Sequence, residues 1–123
     1  MLKRVAAAIV LLTVAAGIAL WSGYIFESRM NYFENQLSQL LATSEMQLPM
    51  KTGEIVEEWN DHASLLHSVF MHDGIDELEI LITSLPMTLE RSGSEEFYAK
   101  CVEGISIIKN LKSCEKLTLE NVL

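Results

Sequence analysis

Positive charge is scarce in this sequence: nine lysines and arginines stand against seventeen aspartates and glutamates in 123 residues, a formal charge of −8. All of the acidic residues, but only seven of the basic ones (Arg29, Lys51, Arg91, Lys100, Lys109, Lys112 and Lys116), lie in residues 27–123, so that stretch carries −10. Such a balance speaks against nucleic acid as a partner and against lying flat on an anionic bilayer. Cysteine is nearly absent too. Cys101 and Cys114 are thirteen residues apart, which on one helix separates them by about 20 Å, whereas a disulfide needs alpha carbons roughly 4.4–6.8 Å apart. Two small buried apolar side chains are the expectation, with an intermolecular disulfide as the alternative. There is no repeat, no low-complexity segment, no Gly-rich phosphate loop and no strand pattern, and residues 90–96 are the only Ser/Gly-rich break.

What the chain does have is apolar sequence in one place. Half of its residues are hydrophobic and its mean hydropathy is +0.23, high for so acidic a chain of this size. Residues 5–26 (VAAAIVLLTVAAGIALWSGYIF) hold no charge, and as a helix they reach roughly 33 Å, enough for a bilayer core of about 30 Å. Lys3 and Arg4 precede this run, and Trp21, Tyr24 and Phe26 lie near its far end, the pattern of a span with its N-terminus in the cytoplasm and the rest outside. A cleaved signal peptide is the competing reading, with Ala15, Ala16 and Gly17 as its small-residue region. Apolar sequence continues nine residues beyond Gly17, which favours an uncleaved anchor. The expected division is a transmembrane signal anchor over 1–26 and an extracytoplasmic helical domain over 27–123.

Helical spacing governs the rest. Phe26, Met30, Phe33, Leu37, Leu40 and Leu41 keep one stripe, with nothing to break a helix between Trp21 and Leu41, so the anchor should run on as the first helix of the domain. It should end within residues 44–53, where Pro49 and Gly53 stand. A second stripe (Ile55, Trp59, His62 or Ala63, Leu66, Val69, Phe70) predicts a helix of about four turns. A third stripe (Ile75, Leu78, Ile82, Leu85, Leu89) predicts another, kinked or ended at Pro86 because the proline ring meets the carbonyl of Ile82. Ser94 reads as an N-cap ahead of Glu95 and Glu96, opening a last helix with Phe97, Cys101, Ile105, Ile108 and Leu111. Residues 115–123 should form a short docking tail. The fold class is all-α, a transmembrane helix continuous with an antiparallel bundle of about four helices.

The chemistry-bearing residues concentrate in HSVFMHDGIDELEI, residues 67–80. Asp73 suits an N-cap, Asp76 and Glu77 favour a helix N-terminus, and together they predict a tight hairpin at residues 71–74. The functional reading is a metal site from His72, Asp76 and Glu79, imidazole and carboxylates being ligands for zinc or manganese. His62, His67 and His72 are each five residues apart, so neighbours differ by roughly 140° round a helix and cannot converge from one. The hairpin clasp is therefore the favoured reading, no metal or other cofactor being required. Ser64 and Ser68 beside His67 lack an orienting group and make no nucleophile motif, and Glu57 with Asp61 form a solvated acidic face. Trp59 is read as a core anchor or, alternatively, as an exposed docking residue; it and His72 are the interaction candidates.

The order of these features, a basic membrane segment, Trp59 within EEWNDHASLLHSVFMHDGIDELEILI, and the ending EKLTLENVL, resembles the small single-pass membrane proteins of spore-forming Gram-positive bacteria grouped as domain of unknown function 4363. The likeness covers nearly the whole chain and is most specific at Trp59, His72, Ile75, Asp76, Glu79 and residues 117–123. It departs at Pro86 and at the Pro49 loop. The resemblance implies a helical single-pass protein with no assigned activity, and a YetF-like membrane protein as a partner by association. The resulting expectation is a non-enzymatic accessory or scaffold protein, bound to the lipid bilayer and to another membrane protein or itself. A metal or ligand sensor using His72, Asp76 and Glu79 is the alternative, and an enzyme acting on envelope substrates is a weaker third.

Overall fold

The computed structural model describes the backbone of residues 1–69 and 73–122 and the side chains of residues 1–67 and 74–117. Four helices account for nearly all of it: α1 (Leu2–Leu41), α2 (Leu48–Val69), α3 (Asp73–Ser92) and α4 (Ser94–Val122), with no strand among the described residues. Each packs on the helix before and after it, and α1 closes the ring against α4. Short connections force successive helices to run in opposite directions, so the result is an antiparallel four-helix bundle.

The expected stripes form the core. Phe26, Met30, Phe33, Leu37 and Leu40 of α1 are buried against Ile55, Trp59 and Leu66 of α2, Ile75, Leu78, Ile82 and Leu85 of α3, and Phe97, Cys101, Ile108 and Leu111 of α4. Leu41 falls outside this core and is exposed. The apolar segment of α1 behaves differently from the rest of that helix. Its most hydrophobic 18-residue window has no buried residue, and it projects from one end of the bundle, hereafter the stalk end. Packing begins at Gly23 and Phe26, so the uncharged run and the bundle overlap by one helical turn. Val69 and Phe70 lie outside the described side chains.

Several boundaries differ from the sequence expectation. α2 starts at Leu48, five residues ahead of Gly53, with the amide of Lys51 donating to the carbonyl of Gln47 at 3.0 Å as its first bond. Pro49 therefore sits in the first turn, where its missing N–H has no intrahelical acceptor to lose. α2 is 22 residues long, well beyond four turns. α3 does not end at Pro86 but continues to Ser92. Pro86 is exposed, while Leu85 before it is buried and Leu89 packs against the core, so burial on both sides offsets the lost hydrogen bond. Hydroxyls of Thr83, Ser84 and Thr88 donate to carbonyls one turn back along this stretch.

Between α3 and α4 stands Gly93 alone, at φ 88°. A side chain there would be strained, which is why one residue can reverse the chain. Its carbonyl accepts from the amide of Phe97 at 3.2 Å, so Gly93, and not Ser94, occupies the N-cap of α4. No separate tail follows: α4 runs unbroken through residues 115–122. A second glycine is required by packing. A Cβ on Gly104 would stand 2.9 Å from methyls of both Leu37 and Leu81, so the bare glycine lets α4 approach α1 and α3 closely there.

Thr52 is the one buried polar side chain whose hydroxyl lacks a hydrogen-bond partner among the described residues. An unsatisfied buried hydroxyl costs about 1–3 kcal/mol. Thr52→Val, which keeps the shape and removes the hydroxyl, should therefore raise unfolding stability by about 1 kcal/mol, read as a higher midpoint in a denaturant titration.

Candidate functional site: a histidine between two carboxylates

α2 runs back to the stalk end and α3 leaves it, so the last turns of the first face the first turns of the second. Here His67 meets two acidic residues. Its Nδ1 lies 3.4 Å from Oδ1 of Asp76 and its Nε2 lies 3.2 Å from Oε2 of Glu79. The other oxygen of Glu79 accepts a hydrogen bond from Nε1 of Trp59 at 3.3 Å. Trp59 itself is fully buried, edge-on to Phe33 with centroids 5.1 Å apart. An unbroken chain thus runs from the core ring to the carboxylate, to the imidazole, and to Asp76 at the surface.

This placement bears on the sequence reading at two points. Trp59 has no exposed face and is a core anchor whose polar edge reaches a partner, so the docking role is withdrawn. Among the described residues the histidine that joins Asp76 and Glu79 is His67, nine and twelve residues earlier, whereas residues 70–72, His72 among them, lie outside the described residues. The proposed cap at Asp73 also falls outside the described side chains. His62 turns elsewhere, its Nε2 3.7 Å from Glu58 on the same helix. His67 escaped the sequence argument because convergence was tested along one helix. The signal was the pairing of two successive antiparallel helices: α2 ends at Val69 and α3 begins at Asp73, so positions about equally far from that break come together, and 67 pairs with 76.

The cluster is partly solvated. The side chains of His67 and Glu79 are each 35% exposed and that of Asp76 is 67% exposed. An imidazole with a carboxylate at each nitrogen donates to both when doubly protonated and ties α2 to α3 across the groove. The same three side chains also form a metal-ligand set, one donor atom from each lying within 4.8 Å of the others. Zinc bound by nitrogen and oxygen at about 2.0–2.2 Å needs its ligands somewhat closer together, and Asp76, the most exposed of the three, has room to swing inward. The Trp59 N–H would then orient a ligating carboxylate from behind, as partners of metal ligands commonly do.

No protein-family model, curated protein or solved structure matches this chain.

The cysteines stand apart from the cluster. Both are on α4, Cys101 buried and Cys114 exposed, and they are not joined. Burial pushes the Cys101 thiol up to about 12, which makes it unreactive at neutral pH.

Proposed function

We propose that the protein is a membrane-anchored, non-enzymatic accessory or scaffold that presents an acidic helical bundle at the outer face of the cytoplasmic membrane, to another membrane protein or to a second copy of itself. One observation carries the reading. The same 40-residue helix is long and apolar enough to cross a membrane in its first half and supplies one wall of the bundle core in its second. A span that is also a core helix couples the domain rigidly to the bilayer, so the bundle has a fixed height and orientation, which suits binding a neighbour in the membrane better than capturing a free solute. The basic Lys3 and Arg4 before the span support an inside N-terminus. A place in domain of unknown function 4363 and a YetF-like partner are part of the same proposal, supported by the residues quoted for the resemblance. Crosslinking in native membranes through the exposed bundle surface should attach a membrane protein or a second copy; crosslinks confined to lipid or to periplasmic solutes would contradict it.

A second reading, a metal sensor, is favoured by the His67, Asp76 and Glu79 cluster. Calorimetry with zinc and with manganese on the full chain in detergent separates the two. The scaffold reading expects no binding tighter than about millimolar, while micromolar zinc binding lost in His67→Ala would favour the sensor.

A further inference from the structure

Basic residues are few in the bundle, yet three of the seven, Lys109, Lys112 and Lys116, stand on one stripe of α4 at its stalk end, spaced three and four apart. They line a cavity of about 520 Å³ between α4 and α1, with Gly23, Glu27 and Glu115 among the other walls. Gly23 and Glu27 straddle the point at which the uncharged run of α1 gives way to its first charge. If α1 spans a bilayer, this is the level of the lipid headgroups.

The three lysines are not equivalent. Nζ of Lys112 donates to Glu34 at 2.6 Å and to Asn31 at 2.8 Å, fixing the register of α4 on α1. Lys109 and Lys116 are exposed and have no ion-pair or hydrogen-bond partner among the described residues. With Lys112 held by Glu34, the ammonium groups that the wall still offers are those of Lys109 and Lys116, beside the carboxylates of Glu27 and Glu115. Lys109 and Lys116, seven residues apart on one helix face, are two donors for the oxygens of a single phosphodiester. A free anion would have to approach through the field of a stretch carrying −10, whereas a lipid headgroup is already beside the helix.

We propose that this cavity binds the phosphate of an anionic phospholipid headgroup at the outer end of the span. Lys109 and Lys116 donate to the phosphate oxygens, Lys112 braces the wall, and the carboxylates of Glu27 and Glu115 accept from hydroxyls of the headgroup. This site rests on the membrane-anchored reading above. It would hold an acidic domain against a surface that otherwise repels it.

The test is native mass spectrometry of the full-length chain released from bilayers containing phosphatidylglycerol and phosphatidylcholine in equal amounts. The expected result is a bound phosphatidylglycerol that survives release while phosphatidylcholine does not. In Lys109→Gln/Lys116→Gln that preference should fall by about thirty-fold, the product of two lysine contributions of the usual size near anionic lipid. Lys109→Arg/Lys116→Arg should keep it. So should Lys51→Gln/Lys100→Gln, which removes the same charge elsewhere. Equal retention of the two lipids by the unaltered chain, an unchanged preference in the glutamine variant, or displacement of the lipid by inorganic phosphate would overturn the proposal. A chain that does not float with the bilayers at all would instead refute the anchoring itself, so the two failures are distinct.

Discussion

Replacing Trp59 by alanine should lower the unfolding free energy of the bundle by about 3–5 kcal/mol, the usual range for emptying a fully buried aromatic site. The ring is the largest side chain in the core and touches Phe33 across the α1–α2 interface. Its loss also strands the Glu79 oxygen that accepts from Nε1. Because domains of this size have only about 5–15 kcal/mol in hand, the variant should melt far earlier or fail to fold. Trp59→Phe separates the two contributions. It keeps most of the packing and removes the N–H, so its effect should be near 1–3 kcal/mol, the range for a hydrogen bond to a charged group. Thermal melting followed by circular dichroism measures both, and an unchanged midpoint for Trp59→Ala would mean that the ring is not packed as described.

The second large effect belongs to the stalk. Ala16→Arg places a charge near the middle of the uncharged run and should make membrane insertion less favourable by about 3 kcal/mol, more than a hundred-fold in the insertion equilibrium. Carbonate extraction or flotation of the full chain reads this directly. The bundle should not notice. No residue of the most apolar window of α1 is buried, so the melting temperature of the domain in detergent should stay where it was. A fall in that temperature would show that the segment packs on the bundle instead of standing clear of it.

The two variants also mark which features were legible in the sequence. Helical periodicity placed nearly every core residue of α1 to α4, because burial of one face leaves an apolar stripe that no other demand on the sequence erases. Punctuation by proline and glycine was less reliable. Pro49 and Gly53 read as a loop, but a proline in the first turn of a helix loses nothing, and Gly53 sits inside α2 with open space where a Cβ would be. Pro86 read as a stop, but packing of Leu85 and Leu89 outweighs one missing hydrogen bond. Leu81, Gly104 and Ile107 escaped notice as core positions, since they belong to the broader contact of α4 with its two neighbours and lie off the simple stripe.

The candidate site shows the same limit from the other side. Asp76 and Glu79, named together from the sequence, both stand against His67. His67, which joins them, was passed over, since a spacing rule for a single helix says nothing of what two antiparallel helices bring together. The bond from Trp59 to Glu79 was likewise beyond reach, for it needs the rotation of α2 against α3 and not merely their existence. The lysine stripe at 109, 112 and 116 was visible as residues but acquired meaning only when α4 was seen to run past the first charged turn of α1.

If α1 crosses the membrane and the bundle sits outside, as proposed, the thiols of the chain report on both. In intact cells, a membrane-impermeant maleimide should label the full-length, membrane-bound protein once, at the exposed Cys114, with the buried Cys101 silent until the protein is denatured. Labelling that appears only after the membrane is opened, or a labelled protein that carbonate washes free, would contradict it.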